Sequence, residues 1–281
     1  MPFSHFGNYA DVWKHLALCH ILALEQVPVY VESNAASASY KLDGSPGQLY
    51  GICHFLAQSA AVPPLCRSHY YQLEKRAAEQ GRYTGSPGLA MQLLNKTASR
   101  FLFFDIEAAA LDNIRRYAAG LKLDALTELR REDSRGGLMK VLPDLPGEAF
   151  VLIDPYYIDQ PGPEGFDYLD VFAACVRRGL RTLLWYGFHS LSEKEGLRQL
   201  FHHRLKGSGP INGAELILAE MGREGSPVNP GIPANGLLWA NMPGTVTRDL
   251  LAFSGLLADI YRDARFEGHR GALHREVVRI V

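Results

Sequence analysis

The sequence predicts an α/β fold of the Rossmann-like type, with a mostly parallel sheet of about seven strands. Short apolar segments rich in β-branched and aromatic residues recur along the 281 residues, and segments with helical spacing of apolar residues lie between them. Most of the apolar segments lack polar alternation, which is typical of strands buried on both faces of a parallel sheet. Strands that alternate with helices are joined by right-handed crossovers.

The strands and helices can be placed approximately. Segments predicted as strands are 27–31, 100–104, 150–153, 181–186, 215–219, 237–240 and 276–281. Apolar residues at helical spacing predict helices over 11–24, 109–121, 166–178 and 247–261. Asn8 or Asp11 is suited to cap the first helix. The last strand returns beside its neighbour, so we expect an antiparallel edge.

Segment 41–81 does not fit the alternation of strands and helices. We interpret it as a small helical insertion within a single domain that spans 1–281. The chain contains no internal repeat that would indicate a solenoid or a propeller.

Composition limits the classes of function. A formal net charge of -1 argues against a protein that coats nucleic acid, because phosphate binding needs many cations. It is compatible with an enzyme that contacts one short segment. The four cysteines show no C-x-x-C spacing, and no metal site is predicted. The N-terminus has no basic segment followed by an apolar one, so we expect a cytoplasmic protein that does not contact a membrane.

The strongest local pattern is an apolar strand that ends at Ile153 and continues into Asp154, Pro155, Tyr156 and Tyr157. Amino-methyltransferases use an Asp-Pro-Pro-Tyr turn in this position, where the carboxylate and the following carbonyl accept hydrogen bonds from an exocyclic amine. The terminal aromatic ring stacks on the base, which must be unpaired or extruded. The pattern predicts Asp154, Pro155 and Tyr157 as catalytic candidates. The alternative is a strand-end Asp-Pro that only starts a turn.

Polar residues also follow the other strands. The first strand continues past Glu32 into a loop of small residues, where nucleotide-binding folds usually carry glycines. Asp105 ends the second strand, where a carboxylate commonly holds ribose hydroxyls. Asp133 and Ser134 lie where an acid can contact the adenine amine of a cofactor. A surface acid and a charged turn are the alternatives for these positions.

Taken in order, these segments resemble those of the RlmJ family. The members of this family are bacterial 23S rRNA (adenine-N6)-methyltransferases. The resemblance extends over nearly the whole chain. It rests on segments 7–15 (Gly-Asn-Tyr-Ala-Asp-Val-Trp-Lys-His) and 83–87 (Tyr-Thr-Gly-Ser-Pro), on Asp105 and Asp133, and on segments 153–155, 184–186 and 235–236. It implies a Rossmann-like methyltransferase domain, S-adenosylmethionine as cofactor, 23S rRNA as partner and adenine N6 as the methylated atom.

The resemblance also assigns roles to residues. Those in the positions where the family contacts S-adenosylmethionine are His15, Asn34, Ser86, Asp105, Asp133, Ser134 and Asp154, with Lys14 as their neighbour. Asp154 would also hold the target amine. Basic and aromatic side chains of the insertion are candidates for an RNA-facing wall, or else the aromatic ones form core: Arg67, His69, Tyr70, Tyr71, Lys75, Arg76, Arg82 and Tyr83. A monomer is favoured.

Two alternatives stay open. This sequence has Asn34 where the family has histidine, and Ala36 and Ala38 where it has glycines. Tyr156 replaces the second proline of the turn. One alternative is therefore a non-catalytic family member that binds nucleic acid or a partner. The other is a DNA adenine-N6 methyltransferase, since the same turn serves both substrates.

Overall fold

The computed structural model describes residues 6–221, 232–266 and 269–280. Its strands are β1 (Val29–Glu32), β2 (Ser39–Lys41), β3 (Arg82–Thr84), β4 (Arg100–Phe104), β5 (Thr127–Arg130), β6 (Phe150–Ile153), β7 (Arg181–Phe188), β8 (Ile211–Leu218), β9 (Ala234–Ala240), β10 (Arg265–Phe266), β11 (His269–Arg270) and β12 (Leu273–Ile280). Its α-helices are α1 (Tyr9–Glu25), α2 (Pro46–Gln48), α3 (His54–Ser59), α4 (Pro63–Cys66), α5 (His69–Glu79), α6 (Ser86–Leu94), α7 (Ala108–Gly120), α8 (Ser134–Val141), α9 (Tyr168–Arg177), α10 (Leu191–Leu205) and α11 (Gly244–Ile260).

One eight-stranded sheet organises the chain, in the order β12-β8-β9-β7-β6-β1-β4-β5. Strands β5, β4, β1, β6 and β7 pair in parallel. Strand β9 is antiparallel to both β7 and β8, and β12 is antiparallel to β8. The strand order reverses between β1 and β6, and ligands of open α/β sheets bind outside the carboxyl ends of the strands at such a point. The predicted mostly parallel, Rossmann-like sheet is confirmed, as is its antiparallel edge.

The sequence pattern missed the eighth strand of this sheet. Strand β5 reads Thr-Glu-Leu-Arg and is half-buried along its whole length, because it lies at the open edge of the sheet. It therefore lacks the continuous apolar character of the central strands. Helices α6, α8 and α10 were also not predicted, and α6 and α8 begin directly at candidate site residues.

Two apolar cores lie on opposite faces of the sheet. One core joins α1 to α6 and α11, and it contains Trp13 and Trp239. The other contains the apolar faces of α8 and α9. Asn8 caps α1 by accepting hydrogen bonds from the amides of Ala10 at 2.9 Å and Asp11 at 3.0 Å. Helix α1 is buried on most sides, so its polar residues lie inside the protein rather than in solvent.

Segment 41–81 contains α2 to α5 and a π-helical turn, Leu49–Cys53. Strands β2 and β3 pair antiparallel and close the base of this segment. Tyr70, Tyr71 and Tyr83 are buried in the core beside α1, so the hypothesis that these three rings face RNA is wrong. Their apolar area is better buried than exposed. The basic side chains of the same hypothesis are exposed: Arg67, His69, Lys75, Arg76 and Arg82.

No helix within the described ranges 6–221, 232–266 and 269–280 has the length and apolar character needed to cross a membrane.

Candidate active site

The carboxyl ends of β1, β4, β5 and β6 lie along one edge of the sheet, because these strands are parallel neighbours. The polar residues that follow them therefore share a crevice. These residues are Asn34 after β1, Asp105 after β4, Asp133 and Ser134 after β5, and Asp154 after β6. Helix α1 adds Lys14 and His15 from the face that packs on this part of the sheet.

Lys14 joins two carboxylates at the edge of this crevice. Its Nζ lies 2.5 Å from Oδ2 of Asp154 and 3.0 Å from Oδ1 of Asp11. The backbone amide of Gly7 donates to Asp11 at 2.8 Å, and the amide of Asp154 donates to Oγ of Ser33 at 3.0 Å. These contacts fix the Asp154 carboxylate in one orientation. Lys14, which the sequence placed only as a neighbour, is thus a direct partner of Asp154.

Burial and charge act on this cluster in opposite directions. Burial alone would lower the pKa of the Lys14 ammonium, but Asp11 and Asp154 together raise it above its usual value. Burial raises the pKa of Asp154, and Lys14 offsets only part of that increase. Burial would also raise the pKa of Asp11, yet Lys14 and the hydrogen bond from the Gly7 amide bring it below its usual value. With both carboxylates ionised, one shared cation leaves the cluster with a net negative charge facing the crevice.

The loop after β1 has an unusual backbone. Asn34 and Ala36 adopt positive φ angles of 51° and 52°. Asparagine tolerates this region, whereas alanine is strained there. The Ala36 amide donates to Asp105 at 2.8 Å, and the Glu107 amide donates to the other oxygen of Asp105 at 2.7 Å. Ala38 has no positive φ, so the backbone strain lies at Ala36 and not at Ala38.

Replacing Ala36 with glycine should therefore relieve strain. A left-handed alanine costs about 1 to 2 kcal/mol, and the added freedom of the unfolded chain costs about 0.4 to 1 kcal/mol in return. We expect the free energy of unfolding to rise by up to about 1 kcal/mol in urea titrations. Ala38→Gly is the control without positive φ, since it gains no relief, removes a buried methyl group and should only destabilise. Equal loss of stability in both variants would contradict the strain at Ala36.

Asp133 and Ser134 begin helix α8 beside the same loop. Asp133 caps the helix by accepting from the Arg135 amide at 3.0 Å, and it forms an ion pair of 2.5 Å with the Arg135 guanidinium. The Ser134 hydroxyl lies 2.8 Å from the Tyr168 hydroxyl and donates to Asn34 at 3.3 Å. Asn34, Ser134 and Asp133 therefore lie close together in one crevice. Some of their donors and acceptors already form hydrogen bonds within the protein.

His15 and Ser86 lie deeper. Nδ1 of His15 is 2.7 Å from the Tyr83 hydroxyl, and burial together with Lys14 lowers the pKa of His15 to about 3. Its Nε2 is buried without a hydrogen-bond partner among the described residues. The Ser86 hydroxyl donates to Glu32 at 2.5 Å. His15 is therefore a neutral imidazole that retains one unused polar atom.

Glu32 is a site residue to which the sequence pattern alone assigns no role. It ends β1, is fully buried, and accepts hydrogen bonds from Ser86 and from the Tyr30 hydroxyl at 2.8 Å. Burial raises the pKa of Glu32 to about 8, although the hydrogen bonds from the two hydroxyls act to lower it. An acid that ends β1 parallels Asp105 after β4, and that parallel is the signal that could have identified it.

The raised pKa of Glu32 predicts a dependence of stability on pH. A carboxyl whose folded pKa exceeds its unfolded value stabilises the fold fully below the unfolded value, and this contribution is lost as pH rises through the folded pKa. Wild type should therefore lose stability between about pH 5 and pH 8. In Glu32→Gln this loss should shrink by up to about 1.4 kcal/mol per pH unit. Urea titrations across that range check this, and unchanged slopes would contradict it.

A cavity of ≈ 420 Å³ opens beside the Asp154 turn. Its lining includes Tyr156, Tyr157, Gly187, His189 and Glu193. Tyr156 is 65% exposed and Tyr157 is 50% exposed, and their rings meet edge to face at 4.6 Å. Exposed aromatic rings at the mouth of a cavity of this size suit the stacking of a planar ligand.

The order of the strands, the antiparallel β9 between β7 and β8, and the reversal of strand order between β1 and β6 define a Rossmann-like α/β fold. Among solved structures, the chain is similar to protein LPL1258 from Legionella pneumophila str. Philadelphia 1, described as a protein of the family DUF519. The TM-score is 0.74 at 19% identity, over 97% of each chain. This likeness shows that the two proteins share their fold over nearly their full length.

Weaker likenesses extend to named methyltransferases. A putative O-methyltransferase from Klebsiella pneumoniae matches with a TM-score of 0.43 at 14% identity, over 82% of this chain and 80% of that one. An rRNA methylase from Streptococcus thermophilus matches with a TM-score of 0.39 at 10% identity, over 82% and 95%. No protein-family model matches the sequence. No curated protein sequence matches it either.

Within the described part of the chain, no three His, Cys, Asp or Glu side chains come together in a group that could hold a metal ion.

Proposed function

We propose that this protein transfers a methyl group from S-adenosylmethionine to the N6 amine of an adenine in 23S rRNA, in the cytoplasm. The observation that carries the proposal is Asp154 at the carboxyl end of β6, whose side chain is 14% exposed, held by Lys14 and followed by two exposed tyrosines beside a cavity. The combination of an oriented acceptor and stacking rings suits a planar base with an exocyclic amine. The resemblance to the RlmJ family supports RNA as the substrate.

The residues of the crevice suit the cofactor. His15 offers a buried nitrogen without a partner, and the net negative charge around Asp11 and Asp154 suits a cationic ligand. Asp105, Asp133, Asn34, Ser86 and Ser134 would hold its polar groups. S-adenosylmethionine, when bound, supplies an activated methyl group on a positively charged sulfur.

The chain's own part in the reaction is to position the amine. The Asp154 carboxylate accepts a hydrogen bond from the adenine N6, and the Pro155 carbonyl can accept the second. Two acceptors orient the nitrogen lone pair toward the methyl donor. The rate acceleration therefore comes from positioning and electrostatics. Lys14 limits the rise of the pKa of Asp154, which favours the ionised acceptor. Tyr157 would stack on the base.

A non-catalytic binding protein is the second candidate. The strained Ala36 favours it, since an alanine with positive φ occupies a position where the resembled family has glycine. In that case the crevice would keep its shape without binding the cofactor. DNA adenine remains the alternative substrate within the enzyme hypothesis.

The experiment that tests the proposal is methyl transfer with isotopically labelled S-adenosylmethionine. Acceptors are 23S rRNA from a strain with unmodified rRNA and a single-stranded DNA of matched length. Digestion to nucleosides should yield labelled N6-methyladenosine from the RNA at least about tenfold faster than labelled N6-methyl-2′-deoxyadenosine from the DNA. Label in the DNA alone would replace RNA by DNA as the substrate. Label in neither, with intact protein, would favour the binding protein.

A further inference from the structure

Four buried polar atoms without partners gather behind the proposed active site. They are both side-chain amide atoms of Asn235, the indole nitrogen of Trp185 and the hydroxyl of Tyr9, and none has a hydrogen-bond partner among the described residues. Asn235 is fully buried and is the second residue of β9, the strand next to β7. Buried polar groups are nearly always paired, so a group of buried donors and acceptors without protein partners is a candidate binding site.

Backbone pairing and side-chain contacts place these groups together. Asn235 lies directly across from Gly187, and Trp185 lies across from Leu237. Side chains alternate along a strand, so Trp185 and Asn235 project from the same face. Burial raises the pKa of Tyr9, and the side chain of Asn235 acts to lower it, which places the two groups next to each other.

The same groups adjoin both the catalytic cluster and the cavity. Lys14 Nζ lies 5.6 Å from the centre of the Trp185 ring. Gly187, the cross-strand partner of Asn235, lines the cavity beside Tyr156 and Tyr157. A methyl group on Gly187 would come within 2.0 Å of the Ile232 side chain, which therefore covers this glycine. A displacement of Ile232 would open the way from the cavity to Asn235.

We propose that Asn235 recognises a ring nitrogen of the target adenine, with the Trp185 indole as an auxiliary donor and Tyr9 as a positioning residue. The inference rests on the proposed function. In the bound state the Tyr9 hydroxyl would donate to Oδ1 of Asn235, which leaves the amide hydrogens to point toward N1 or N7, the acceptors that flank N6 in adenine. Guanine presents hydrogen at N1 and uracil presents hydrogen at N3, so neither offers the same acceptor next to an amine.

The alternative is that the unpaired atoms only bind buried water. Substitution of Asn235 by leucine separates the two. Leucine has a similar size and removes two unpaired polar atoms, so under our proposal the ligand-free melting temperature should not fall. If the amide is held by water and supports the fold, the melting temperature should fall clearly.

The decisive readout replaces single atoms of the base. Fluorescent single-stranded oligoribonucleotides carry one adenine, one 1-deazaadenine or one 7-deazaadenine in a uridine background, and their Kd is measured by anisotropy with the full chain. Wild type should bind one of the two deaza analogues about tenfold more weakly than adenine. Asn235→Leu should bind adenine more weakly and show no further loss with that analogue. Trp185→Phe keeps an aromatic ring but removes the indole N–H. It should therefore lose less affinity with that analogue than wild type loses.

Ser59→Ala is the matched control, because Ser59 is another fully buried side chain with an unpaired hydroxyl and lies in α3 of the insertion. It should leave the analogue penalty unchanged. The proposal is overturned if Asn235→Leu keeps the wild-type penalty, or if wild type distinguishes neither analogue from adenine. Because binding is measured without methyl transfer, these outcomes are separate from the failure of the methylation assay on 23S rRNA.

Discussion

Replacing Asp154 with asparagine is expected to lower kcat for adenine methylation by about 10²- to 10³-fold, the effect of removing one preorganised hydrogen-bond partner from a buried active site. Asparagine keeps the size of the side chain, but its neutral amide is a weaker acceptor for the adenine amine and cannot pair with Lys14 as a charge. Because Lys14 retains Asp11 at 3.0 Å, its charge is not left isolated. The loss of stability should be about 2 kcal/mol.

The matched control is Glu25→Gln. Glu25 forms an ion pair of 2.8 Å with Arg181, and its side chain is 13% exposed, close to the 14% of Asp154. It ends α1, and Arg181 begins β7, so this pair lies at the opposite edge of the sheet. It should cost similar stability with kcat unchanged. Methyl transfer and urea titrations are measured for both variants, and full activity in Asp154→Asn would remove the turn from the reaction.

Replacing Lys14 with methionine should have the largest effect on stability. The change leaves Asp11 and Asp154 buried without their shared cation, and breaking a buried ion pair from one side costs about 3 to 5 kcal/mol. The folded-state pKa of both carboxyls should rise. With raised folded-state pKa values, the variant is most stable at pH values below the pKa values of the unfolded chain. It loses stability as the pH increases through the pKa values of the folded protein. The deficit relative to wild type should therefore be large near pH 8 and smaller near pH 5.

Urea titrations at the two pH values measure this deficit. Arg181→Met is the control, because its removal leaves one carboxylate, that of Glu25, without its partner rather than two carboxylates that share a cation. Its deficit should be smaller and nearly independent of pH over the same range. A deficit of Lys14→Met that grows toward pH 5 would contradict the assignment of Lys14 as the cation that offsets two buried carboxylates. Methyl transfer should also be lost.

The sequence predicted the sheet well where burial leaves a strong pattern. The central strands β1, β4, β6 and β7 are apolar because both faces are covered, and such segments are easy to recognise. Strand β5 was not predicted, because a strand at the edge of a sheet does not need a continuous series of apolar residues. The turn at Asp154 followed from its position after a buried strand.

The contacts within the site could not be predicted in the same way. That Lys14 reaches Asp154 depends on the packing of α1 across the sheet, over a separation of 140 residues. The positive φ of Ala36 breaks a local preference, so local pattern alone favours another conformation. The aromatic residues of the insertion looked like an RNA-binding surface, yet the fold uses Tyr70 and Tyr83 as core beside His15.

The central claim is that the crevice at the carboxyl ends of β1, β4, β5 and β6 binds S-adenosylmethionine. Isothermal titration of the full chain with this cofactor tests it most directly, with Ser134→Ala as a second sample. We expect one site per chain in wild type and a Kd increased about tenfold in Ser134→Ala, because that hydroxyl lies beside Asn34 in the crevice. Saturation should add about 2.7 kcal/mol of stability at 100 times Kd. Absence of both heat and stabilisation at millimolar cofactor would contradict the claim.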